Sequence, residues 1–137
     1  MTTRFRAASA VYLDSSAGVK LVLGEPQSPA LRGWLAGKTE VLSSALFRTE
    51  LLRAVRREAP QAITRARAVI SGTMLLTIDD EVLELAARLD PLMLRTLDAI
   101  HLASAIRLGT DLDALVTYDR RMIEAAQQLG LPAISPA

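Results

Sequence analysis

The chain has 137 residues, half of them hydrophobic and 23% charged, with a net charge of +1. Those values describe one folded domain with a true core rather than a chain too polar to collapse, and the near-neutral charge argues neither for nor against a nucleic-acid partner. With no cysteine there can be no disulfide framework, thiolate metal site or cysteine nucleophile, and no window approaches the roughly 18 apolar residues of a membrane span.

The chain opens MTTRFRAASAVYLDSS. Its apolar stretch AVYL is too short for a secretory signal, so a cytoplasmic protein is the expectation, with residues 1–8 as a flexible tail. AVYL (10–13) reads as a buried strand that stops at Asp14, and AGVKLVLG as a brief helix ended by Gly24 and Pro26. Ser28 followed by Pro29 looks like an N-cap with proline at the first helical position, opening a helix that stops near Gly37. EVLSS (40–44) is the second strand. The next helix, ALFRTELLRAVRREA, places Leu46, Phe47, Leu51, Ala54 and Val55 at helical spacing and closes at Pro60.

A further helix over about 61–71 leads to TMLLTI (73–78), the third strand, and acids 79–81 open the helix EVLELAARL, ended by Pro91. From Thr96, read as an N-cap, LDAIHLASAIRL is apolar nearly all round, which predicts a buried helix ending at Gly109. DALVTYD (113–119) is the fourth strand, a helix covers 120–129, and PAIS forms a last short strand. Strands separated by helices imply an α/β fold, a single domain over 1–137 with a central, mostly parallel sheet of four to five strands flanked by helices. In such folds ligands bind beyond the carboxyl ends of the strands.

Of fifteen carboxylates, four stand where topology can use them. Asp14 ends the first strand, Asp119 ends the fourth, Glu50 lies in the helix after the second, and Asp98 opens the buried helix. Four acids in one cleft repel unless a cation holds them, and oxygen-only ligands select hard cations such as Mg²⁺ or Mn²⁺. Each acid also has an ordinary explanation. Asp14 and Asp119 can cap the helices that follow them, Glu50 can pair with Arg53 at i+3, and Asp98 can complement a helix dipole.

Ser15, Ser16 and Thr117 stand beside the strand-end acids, able either to orient them or to cap helices. His101, the chain's only histidine, is expected to serve packing in its buried helix. Residues 48–67 hold six arginines against two glutamates, a basic block that suits either phosphates or a solvated helix face. Leu21, Leu23, Leu31, Trp34 and Leu35 read equally well as an exposed apolar surface or as core.

The sequence resembles the PIN-domain ribonucleases, and within them the VapC-type toxins of toxin–antitoxin pairs. The resemblance is carried by YLDSSAGVKL (12–21), SSALFRTELLRA (43–54), TLDAIHLASA (96–105) and LVTYDRRM (115–122), in order and over nearly the whole chain. It implies a PIN-like fold and a Mg²⁺-dependent endoribonuclease, with Mn²⁺ able to substitute, whose products carry 5′-phosphates. By resemblance Asp14, Glu50, Asp98 and Asp119 take the four acidic metal-site positions and Thr117 a supporting hydroxyl position. Arg53 and Arg57, on the helix face of Glu50, are candidates to grip the RNA backbone.

The resemblance also implies a VapB-type antitoxin partner and a homodimer, with no membrane association. One departure is Gly18, where the family more often has a bulky aliphatic residue; it is expected to loosen the first helix. Two rival readings remain. A Mg²⁺-dependent phosphatase with an aspartyl nucleophile generally needs a second acid where this chain has Ser16, and a non-catalytic module would keep the fold as a binding partner alone.

Overall fold

The computed structural model describes residues 10–137. The expected N-terminal tail lies outside the described residues. The elements run β1 (Ala10–Leu13), α1 (Ser15–Val22), α2 (Ser28–Leu35), β2 (Glu40–Ser44), α3 (Leu46–Glu58), α4 (Ile63–Ser71), β3 (Met74–Leu76), α5 (Asp80–Arg88), α6 (Thr96–Ile106), β4 (Leu112–Val116), α7 (Arg120–Gln128) and β5 (Ala133–Ile134). Short 3₁₀ turns over 60–62 and 109–111 precede α4 and β4.

All pairings in the five-stranded sheet are parallel, in the order β3-β2-β1-β4-β5. The chain therefore winds outward from β1 to β3, returns to the centre as β4 and winds outward again to β5. The reversal falls between β1 and β4, and an open parallel sheet places its ligand crevice at the carboxyl ends of such a pair.

Alternation along β1 divides the core. Val11 and Leu13 pack with Leu31, Phe47, Leu51, Val55, Ala66 and Ile70 beneath α1 to α4. Tyr12 points to the other face, against Leu102 and Ala105 of α6 and Met122, Ala125 and Ala126 of α7. Both faces of the central strands are covered, which accounts for their continuous apolar character in the sequence. On the outer side α5 packs Val82 against Ile100 and Ala103 of α6.

Gly18 is buried on α1, and a Cβ there would lie 2.6 and 2.7 Å from the Cε1 and Cζ atoms of the Phe47 ring. The glycine thus permits a close approach of α1 to α3 and does not loosen the helix. Leu31 is fully buried, and Leu21, Leu23, Trp34 and Leu35 pack partly buried against the same core. The core reading holds for this group. No helix of the described residues is long and apolar enough to cross a membrane.

Candidate active site

Asp14 follows the last residue of β1, and its backbone N–H donates to the carbonyl of Val116, extending the β1–β4 pairing by one step at 3.1 Å. This brings Asp14 against the segment after β4. Its side chain caps α1, accepting from the Ala17 N–H at 3.1 Å. Ser16 Oγ donates to Oδ1 at 2.6 Å and Thr117 Oγ1 to Oδ2 at 2.5 Å. Asp14 is 3% exposed. Burial drives its pKa above the ordinary 3.8, with the two hydroxyls, the charge of His101 and the Ala17 amide opposing in part.

Thr117 also ties in Asp119, whose N–H donates to Thr117 Oγ1 at 3.1 Å, and Asp119 caps α7 through the Arg121 N–H at 2.9 Å. The capping explanation therefore holds for Asp14 and Asp119, and both lie at the switch point as well. Ser16 completes the hydroxyl group by accepting from the Tyr118 N–H at 2.9 Å.

Glu50 projects from α3, but it does not pair with Arg53. The Ser15 hydroxyl donates to its Oε1, and Nε2 of His101 lies 2.6 Å from the same oxygen. Burial pushes Glu50 upward, yet the hydrogen bond and charge of His101, with the Ser15 hydroxyl, outweigh it and hold the pKa below the ordinary 4.5.

Asp98 lies in the first turn of α6, and Arg95 bridges it to Asp119, with Nε 3.3 Å from Asp98 Oδ2 and Nη2 3.6 Å from Asp119 Oδ2. Burial raises the pKa of Asp98; Arg95 opposes this, the charge of Asp119 adds to it and His101 again lowers it. A guanidinium that spans two carboxylates is a stand-in cation.

Among the described residues no three histidine or carboxylate groups converge as a ready-made metal cage. The four acids expected at the site lie in local contacts of the protein's own. Each is engaged by donors of the protein itself: Asp14 by hydroxyls, Glu50 by Ser15 and His101, Asp98 and Asp119 by Arg95. The donor set is nevertheless all oxygen and anionic, two of its acids are held at raised pKa, and one pair already takes a cation. Such a set fits a hard divalent ion.

Two residues emerge that the sequence reading did not assign to the site. Arg95 precedes Asp98 by three positions, an i,i+3 pairing the spacing alone permits. His101 follows Asp98 by three positions. It is 1% exposed, as a packing residue should be, but it touches Glu50 and lowers the pKa of three of the acids. Packing is thus only half of its role. Arg53 and Arg57 are exposed on α3, where Arg57 lies 3.2 Å from Glu58.

Comparison with known proteins bears on this geometry. A model of the PIN domain matches residues 11–128. Ribonuclease VapC46 of Mycobacterium tuberculosis (strain ATCC 25618 / H37Rv) is 50% identical over 129 residues, covering 94% of this chain and 99% of that protein. Ribonuclease VapC47 of strain CDC 1551 / Oshkosh is 38% identical, and Ribonuclease VapC35 of the same strain 42%, each match covering 92% of this chain and 96% of the relative.

Among solved structures, Mycobacterium tuberculosis VapC20, described as a sarcin-ricin loop cleaving toxin, superimposes with a TM-score of 0.74 at 18% identity, over 92% of this chain and 99% of that one. At that identity the likeness is one of fold. The family model and the relatives decide the membership: the chain belongs to the PIN-domain family, and within it to the VapC group.

Proposed function

We propose that the chain is a Mg²⁺-dependent endoribonuclease, with Mn²⁺ able to substitute, that acts in the cytoplasm as the toxin of a toxin–antitoxin pair. One observation carries the reading: Asp14, buried at the reversal of a parallel sheet, is bound through Thr117 to the segment bearing Asp119, which Arg95 joins to Asp98. Asp14 and Asp98 would be the principal metal ligands, with Glu50 and Asp119 completing the site. When bound, the ion lowers the pKa of a coordinated water and offsets charge developing on the phosphate during in-line displacement.

The chain's own residues supply the rest. Ser16 and Thr117 fix both oxygens of Asp14, so that the principal ligand is oriented before any ion arrives. Ser15 and His101 occupy one oxygen of Glu50. Arg95, which contacts Asp98 and Asp119, would compete with a cation for these acids and, once displaced, could meet substrate phosphate. Arg53 and Arg57 are exposed on α3 and would meet the RNA backbone.

A VapB-type antitoxin that places a basic side chain between Asp98 and Asp119 would repeat the contact Arg95 already makes. A homodimer completes the proposed assembly. The phosphatase reading lacks its second acid, since Ser16 donates to Asp14 and cannot replace a carboxylic acid. The test is to offer the protein RNA and a phosphate monoester in separate Mg²⁺ reactions and to map the ends produced. Internal cuts with 5′-phosphate ends are expected. Monoester hydrolysis without RNA cutting favours the phosphatase, and no reaction with either favours the binding module.

A further inference from the structure

His101 is 1% exposed within α6, yet each ring nitrogen has a partner. Nε2 lies 2.6 Å from Glu50 Oε1 and Nδ1 lies 2.7 Å from the Tyr12 hydroxyl. An ionised Glu50 can only accept, so Nε2 carries the hydrogen of that bond. In the neutral imidazole Nδ1 then offers a lone pair, to which the Tyr12 hydroxyl donates. Tyr12 is fully buried on β1 and meets the imidazole edge-on, at a centroid distance of 5.8 Å and an interplanar angle of 79°.

The chain of contacts thus runs from the sheet, through Tyr12 and His101, to Glu50. Ser15 donates to the same Oε1, its hydroxyl 3.5 Å from His101 Nε2. With two donors converging on Oε1, Oε2 is the oxygen these contacts leave uncommitted.

Packing alone does not call for this arrangement. A leucine would fill much of the space between α6 and β1 without burying an imidazole, which costs free energy unless its polar atoms are matched. We infer that His101 is a positioning residue of the site: backed by Tyr12, it fixes the Glu50 carboxylate by Oε1 and so reserves Oε2 for the divalent ion. The inference rests on the metal-dependent reading given above. Groups that orient a ligand in this way contribute about 10-fold to 100-fold in metal affinity.

Because the untagged chain has a single histidine, long-range ¹H–¹⁵N spectra of its imidazole report this contact directly, without metal or RNA. At a pH where the ring is neutral, a protonated Nε2 and an unprotonated Nδ1 are expected, with the Nδ1 signal moving when Tyr12→Phe removes its donor. A protonated Nδ1, or a signal indifferent to Tyr12→Phe, overturns the inference.

Mn²⁺ calorimetry and RNA kinetics on folded variants give the second arm. His101→Leu should weaken Mn²⁺ binding about tenfold or more and lower kcat with little change in KM for RNA. His101→Gln, which keeps an N–H donor, should restore most of both. Mn²⁺ affinity and kcat unaffected in His101→Leu overturn the positioning role. If His101→Leu does not fold, His101→Gln and Tyr12→Phe decide: retained affinity in the first and a loss of a few-fold in the second are expected, and no loss in the second is contrary. Asp14→Asn separates the two levels. If it loses Mn²⁺ while His101→Leu does not, only the positioning role falls; if it binds as the parent does, the metal reading falls and takes the positioning role with it.

Discussion

At the scale of single residues, the acids of the site divide by the sign of their pKa shifts. Asp14 and Asp98 are raised from 3.8, first by burial, so the folded chain binds their protons more readily than the unfolded chain does. Stability of the metal-free protein therefore increases as pH falls through their folded values, and the gain levels off near 3.8, where the unfolded chain takes up the same protons. Glu50 runs the other way. Lowered from 4.5, it contributes stability above that pH and loses it as pH falls through its folded value.

Without metal, Asp98→Asn should consequently raise Tm at pH 7 and flatten the gain on mild acidification; a lower Tm by thermal unfolding would contradict the assignment. Mn²⁺ affinity should fall as pH drops toward the raised values, because protons and metal compete for the same carboxylates. Arg95 is also a competitor. It is 66% exposed, so its ion pairs are worth about 0.2–1 kcal/mol. Arg95→Ala should tighten Mn²⁺ binding by up to about fivefold, and weakened binding in calorimetry would show that Arg95 supports the ion rather than standing in for it.

At the scale of elements, the contact of α1 with α3 sets how Ser15 meets Glu50. Gly18→Ala would drive a methyl into the buried Phe47 ring and should cost about 1–3 kcal/mol in urea unfolding; a change within about 0.5 kcal/mol would mean the two helices can separate freely. The strands were legible because each apolar run stops at a polar or acidic residue, and EVLSS matches β2 residue for residue. Asp14 was legible because it ends such a run. Helix caps are legible only to within one position: Ser28 and Thr96, which resemble caps in sequence, are the first helical residues, preceded by Gln27 and Arg95.

From sequence Gly18 suggests only a looser helix, because a sequence cannot say which ring packs against a missing Cβ. The ties of His101 were equally invisible. They reach Glu50 and Tyr12, 51 and 89 residues away in the chain, and only the superposition of α6 and α3 on a shared sheet edge brings them within reach. The role of Arg95 is not legible in sequence, because an exposed arginine three residues before an acid has the same signature as any surface pair.

At the scale of the whole molecule, the strand order β3-β2-β1-β4-β5 gathers at one edge acids that lie as far apart in sequence as Asp14 and Asp119. Neighbouring strands were the condition under which Asp14 and Asp119 could meet, and β1 and β4 satisfy it in parallel register. An ion held by these acids would bind the folded chain alone, so Mn²⁺ at about a hundred times its dissociation constant should stabilise the protein by about 2.7 kcal/mol, with no such gain in Asp14→Asn. Absence of a Tm shift in the parent chain would mean that the edge holds no ion. The central claim, that these acids make a metal-dependent ribonuclease, is tested most directly by RNA cleavage assayed in Mg²⁺ and in excess EDTA, with folded Asp14→Asn and Asp98→Asn beside the parent. The account predicts cleavage by the parent in Mg²⁺ alone and its loss in both variants; cleavage that persists in EDTA, or in either folded variant, would contradict it.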